Sequence, residues 1–156
     1  WKQAPRSFVR FCRMPAQVGD IICVALPGIS LLHTGIFLRA ETAALRAMME
    51  SAGIVNPDPE DEYAIHFTRG EEGSRWFSSG SPCSSGSFGR FSVQLTTLAK
   101  FLGDRVLSVW NAPTTRSAEE IVRVALDHLE LKFGKYDVVL NNCQHFAMFC
   151  RTGRKV

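Results

Sequence analysis

The stretch "YDVVLNNCQHF" (residues 136–146) decides how this chain is read. It sets two asparagines before a cysteine and runs on into "AMFCR". Asn141 and Asn142 are N-cap residues by type, because a short amide side chain can accept from the unpaired N–H groups of a first helical turn. A helix over 143–151 follows, with Cys143, Phe146, Ala147 and Cys150 on one face. Cys143 then stands in the first turn, beside unpaired backbone N–H groups and the positive end of the helix dipole. Both favour the thiolate, which is the nucleophilic form. The same N–H groups could hold the oxyanion of a tetrahedral intermediate. The plainer alternative makes Cys143 a small buried residue, as Cys150 on the same face is expected to be.

A nucleophilic cysteine needs a base, and the chain has four histidines: His33, His66, His128 and His145. His145 lies about 200° around the helix from Cys143 and so points away from the sulfur. His128 is expected at a solvated position on its own helix. His33 and His66 fall on strand candidates, and a strand imidazole facing a cysteine at a helix start suits Cys–His chemistry. Taken singly, a strand histidine is more often a satisfied core or surface residue.

Outward from these residues the chain alternates strands and helices. "GDIICVAL" (19–26) is a turn and an apolar run rich in β-branched residues, read as a buried strand. Pro27-Gly28 bends the chain into "HTGIFLR" (33–39), where His33, Gly35 and Phe37 share one face, and Thr34, Ile36 and Leu38 the other. Residues 41–52 are helix formers, 56–62 a loop, and "YAIHFTR" (63–69) a third strand. Residues 70–90 hold five Gly and seven Ser and read as a flexible loop. "RFSVQLT" and "DRVLSVW" are further strands. Residues 117–132 form the clearest helix, opened by Ser117 and Glu120 as a capping box.

Composition is that of one globular domain over residues 1–156, with 46% hydrophobic and 21% charged residues. A net charge of +3 is too slight to predict nucleic-acid binding by itself. Basic residues gather at both ends, and Arg151, Arg154 and Lys155 are either solubilising or a surface for RNA or a partner protein. Five scattered cysteines without a C-x-x-C pair argue for a reducing compartment and against a structural zinc site. No cofactor is expected. No apolar run reaches the ~20 residues that span a bilayer.

"YDVVLNNCQHF", with "SAEEIVRVAL" before it, resembles the NC box of the H-box/NC family. That family holds lecithin:retinol acyltransferase and related phospholipase/acyltransferases. "GDIICVALPGISLLHTGIFL" is similar to its Gly-Asp strand and H-box strand, with the histidine 110 positions ahead of the cysteine. The resemblance implies an α+β fold of the permuted papain-like (NlpC/P60, LRAT-like) kind, an antiparallel β-sheet packed against helices. It also implies Cys143 as nucleophile, His33 as base and His66 as the second imidazole, with a lipid acyl ester passing through a thioester.

Three departures shift the expectation. Gln144 stands where the family usually has Glu. A helix and acidic loop at about 40–62 separate His33 from His66, where cellular members have a short hairpin. The chain starts at Trp1 and ends in "RTGRKV" rather than in a hydrophobic anchor. These features are most similar to the picornaviral 2A proteins of the family. That likeness implies a nonstructural protein that supports viral replication in the host cytoplasm, including its replication membranes. RNA or a host protein is then the expected partner, and acyl esters the substrate if the site is active.

Overall fold

In the computed structural model the described residues are 11–12, 15–28, 31–69, 91–129, 131, 133–137 and 139–154. The expected loop at 70–90, and Lys155, lie outside them. In chain order the elements are β1 (Phe11–Cys12), β2 (Ile21–Ala25), β3 (Leu32–Arg39), α1 (Ala43–Ser51), β4 (Glu62–Arg69), β5 (Phe91–Thr97), α2 (Leu98–Leu102), β6 (Ser108–Trp110), α3 (Ala118–Asp127) and α4 (Cys143–Thr152). The strands form one sheet in the order β1-β6-β2-β3-β4-β5, and each paired neighbour runs antiparallel. This is the expected α+β architecture, an antiparallel sheet packed against helices.

The sheet is covered on both faces, and the period of two along each strand decides what goes where. Ile21 and Cys23 of β2, Ile36 and Leu38 of β3, and Ile65 and Phe67 of β4 pack against α1, α3 and α4 in the larger core. The intervening residues Ile22, Val24, Phe37 and Ala64 pack on the other face with Leu98 and Phe101 of α2 and Val109. Continuous apolar runs are therefore what β2 and β3 need, because neither face meets water.

Two elements differ from the expectation. The helix expected over 117–132 ends at Asp127, where His128 is the C-cap and Leu129 N–H turns back to Leu126 O at 3.0 Å. Its capping box is present, with Ser117 Oγ accepting from Glu120 N and Glu120 Oε2 from Ser117 N. His128 is not solvated: it is half-buried among the rings of Phe133, Phe146 and Phe149, and its Nδ1 donates to Val124 O. The short helix α2 was not foreseen; its N-cap is Thr97, at the very end of β5.

Arg151 corrects the reading of the terminal basic cluster. It is only 9% exposed. Its Nε donates to Ala112 O, its Nη1 donates to Gly19 O at 3.0 Å, and Nη1 also lies 3.6 Å from Asp20. Thr114 Oγ1 donates to Arg151 O, and Arg116 Nη1 donates to Cys150 O at 2.7 Å. These contacts clamp the carboxyl end of α4 to the segment after β6. Arg151 is thus part of the interior, while Arg154 is exposed.

Replacing Arg151 with Met leaves two carbonyls and a carboxylate without their donor, and should lower unfolding free energy by about 3 kcal/mol in urea titrations. Arg154→Met should change it by less than about 0.5 kcal/mol. Equal effects from the two substitutions would contradict the clamp.

Candidate functional site

His33 and His66 meet. His33 Nε2 and His66 Nδ1 are 2.7 Å apart, and His66 Nε2 is 3.2 Å from Thr96 Oγ1. The pairing follows from register. Phe37 and Ile36 stand opposite Ala64 and Ile65, so continuing the ladder sets Gly35 opposite His66 and His33 on the diagonal of the same face. Gly35 makes room for it: a Cβ there would lie 3.1 Å from Ile65 O, 3.2 Å from His66 Cβ and 3.3 Å from a Phe101 ring carbon. Phe101 of α2 closes the pair from outside, its ring 5.2 Å from each imidazole.

Burial keeps this pair uncharged. His33 is lowered to about 4, first by burial and then by the nearby charge of Arg105. His66 is lowered to about 3 by burial, then by His33, Lys100 and Arg105. Arg105 is held at the end of α2, donating from Nη2 to Phe101 O at 2.8 Å and from Nε to Leu102 O at 3.0 Å. With each ring neutral, one nitrogen donates and the other accepts. The chain Thr96–His66–His33 can then pass its polarity in either direction, ending at His33 Nδ1.

Cys143 opens α4 as expected, and Asn142 is the N-cap. Asn142 Oδ1 accepts from Gln144 N at 2.9 Å and His145 N at 3.2 Å, and His145 Nδ1 accepts from Asn142 N to complete a capping box. The amides of Gln144 and His145, expected to be open to an oxyanion, are occupied by this cap. Asn141 is not a cap; its Nδ2 donates to Phe133 O and Lys135 O.

The thiol itself is 5% exposed, and its Sγ lies 3.8 Å from Leu32 O. Gln144 Nε2 donates to the same carbonyl at 3.4 Å. Phe146, Ala147 and Cys150 of α4 pack in the larger core, on the sheet face that carries Cys23. Burial, and then the charge of Cys143, pushes Cys23 up to about 12; Tyr136 is raised by the same two causes in the same order. Cys143 is therefore within electrostatic reach of both Cys23 and Tyr136.

His33 belongs to the other face. Its cross-strand partner is Val24, in the smaller core, and its ring neighbour is Phe101. The Cys143 sulfur and the His33 imidazole thus both lie at the start of β3. Among the described residues no hydrogen bond joins Cys143 to His33 or His66. Thr34, the residue after His33, takes the face towards the helices instead; its hydroxyl is fully buried and has no partner.

Sequence reasoning found the thiol and both imidazoles, but missed Thr96, Phe101 and Tyr136 around them. Gly35 was the available signal, since an isolated glycine within a strand pattern marks a close approach of another chain segment.

A sheet-and-helix domain with a helix-borne cysteine and strand histidines defines the class as a cysteine–histidine fold of papain-like descent. A family model for lecithin retinol acyltransferase matches residues 58–156, and the chain belongs to that family. The match points to acyltransferase- or phospholipase-like chemistry. It spans His66 and Cys143, whereas the strand carrying His33 precedes it. No curated protein sequence matches the chain.

The neutral pair gives folding a pH dependence of fixed sign. Between about pH 4 and the unfolded imidazole value near 6.5, the unfolded chain binds protons that the folded chain refuses. The pair's contribution should be complete above that range and fall as pH drops through it. Urea midpoints measured from pH 7.5 to 4.5 should fall for the wild type, and more shallowly for a His33→Gln/His66→Gln variant. Parallel curves would mean that the pair is not held neutral.

Proposed function

We propose that this chain is a nonstructural H-box/NC protein of the picornaviral 2A type, supporting viral replication through binding rather than turnover. It keeps the thiol and imidazoles of an LRAT-type acyl-transfer site. The observation that carries this reading is that His33 Nε2 pairs with His66 at 2.7 Å while the Cys143 sulfur is directed at Leu32 O, 3.8 Å away, and among the described residues makes no hydrogen bond to either imidazole. A general base must come within about 3 Å of the proton it takes, directly or through one water. Here His66 holds the base through Nε2, which leaves Nδ1 as the nitrogen that a proton donor would have to reach.

Two further features support it. Gln144 replaces a carboxylate with a donor that ties α4 to the Leu32 carbonyl, which fixes the thiol's position. The cap made by Asn142 occupies the amides of Gln144 and His145, two of the donors that an oxyanion could use. Of the residues suggested for RNA or a host protein, Arg154 is exposed and remains suited to that work, whereas Arg151 is not.

A second reading is an active acyltransferase or phospholipase that forms a thioester on Cys143. The observation in its favour is that Sγ lies 3.8 Å from the carbonyl of the residue before His33, whose imidazole His66 orients through Nε2. Incubation with an activated short-chain ester, followed by intact-mass analysis, separates the two. The binding role predicts that acylation of Cys143 is slow and changes less than about threefold in His33→Gln, against the 10²-fold or more that a general base contributes. Rapid acylation lost in His33→Gln would establish the enzyme instead.

A further inference from the structure

The turn that leads into α4 holds two aliphatic side chains out in solvent. Asp137 N–H donates to Asn141 O at 2.9 Å, and Asn141 N–H donates back to Asp137 O at 3.0 Å. Within that bridge Asp137 Oδ1 accepts from the amides of Val139 and Leu140, each at 2.8 Å. The anchor is Asn141, whose side chain donates to Phe133 O at 3.1 Å and Lys135 O at 2.9 Å. The polar groups of the turn are thus largely satisfied from within. Val139 and Leu140 are nevertheless 54% and 76% exposed.

The surroundings of this tip are of one kind. Phe91, 43% exposed, stacks on Tyr136 with ring centroids 4.0 Å apart. Arg69 stands opposite Phe91 in the β4–β5 ladder, and Lys135 precedes Tyr136; both are exposed. The carboxylate of the turn is turned onto amides, which hold it below its usual range, chiefly through Leu140 and Val139. The result is an exposed apolar turn with stacked aromatic rings and basic residues near it.

We propose that Val139 and Leu140, with Phe91, Lys135 and Arg69 beside them, dock the chain on an anionic phospholipid bilayer. Aliphatic side chains on a protrusion gain by entering acyl chains, and basic residues near the headgroups add an electrostatic share. Charge complementarity to the exposed Lys135 and Arg69, together with the exposed aliphatic pair, favours this occupant over a folded partner. Protein hot spots are aromatic or arginine anchors seated in pockets of matching shape, whereas a fluid layer needs no such match. The docking goes beyond the binding role proposed above and does not need Cys143 to react. Since Leu140 is two residues from the α4 N-cap, it would bring the thiol end of that helix to the interface.

Vesicle flotation of the full chain tests it, using phosphatidylcholine with and without phosphatidylserine. The wild type should float with the anionic vesicles. A Val139→Asp/Leu140→Asp variant should bind about a hundredfold more weakly, by the transfer value of two buried aliphatic side chains. Lys135→Glu should lose about fivefold on anionic vesicles only. Val55→Asp, which changes a valine 78% exposed elsewhere on the surface, should bind as wild type. Tryptophan fluorescence of Leu140→Trp should shift to shorter wavelength on the anionic vesicles. Flotation of the double variant like the wild type, equal loss in Val55→Asp, or no vesicle binding by the wild type would overturn the proposal; the last would point to a protein partner.

Discussion

The alternation of side chains along β3 is the constraint on which the site depends. Leu32 and Thr34 face the helices; His33 and Gly35 face α2. Both faces of this strand are buried, so a one-residue slip that exchanged His33 with Thr34 would also exchange Ile36 and Leu38 with Phe37. The core fixes the register, and the register fixes which side of the sheet each chemical group occupies. The orphaned Thr34 hydroxyl, worth about 1–3 kcal/mol against the fold, is a cost of that arrangement.

From this constraint the rest follows. The His33 imidazole is left with polar company only on its own face, in His66 and Thr96, and burial keeps the pair neutral. The thiol is placed by the other end of the argument. Asn142 sets where α4 begins, and the Arg151–Asp20 clamp together with Arg116 sets where it ends against the sheet. Gln144 links the two systems at Leu32 O. An LRAT-family fold is thus kept intact around a cysteine and a histidine pair that come together at the start of β3.

Much of this was legible in the residues. The apolar runs of β2 and β3, the Ser117–Glu120 box and the Asn-Cys helix start are local signals, and each forms as its chemistry dictates. The face assignment of His33, Gly35 and Phe37 was legible too, from the period of two. Which face α4 would cover was not, because that is decided by packing between segments far apart in sequence. The same holds for Arg151, whose partners Gly19, Asp20 and Ala112 come from two distant turns, so that a cluster of basic letters concealed a buried clamp. His128 was misjudged for a related reason: the three phenylalanines around it come from α4 and from the connector before it.

The direct test of the proposed binding role is the pH dependence of Cys143 alkylation by iodoacetamide, followed by peptide mapping, in the wild type and in His33→Gln. If the thiol works without help from the imidazole, the two profiles coincide. A reactive plateau extending to neutral pH in the wild type and absent from His33→Gln would show the pair to be coupled, and would contradict the account.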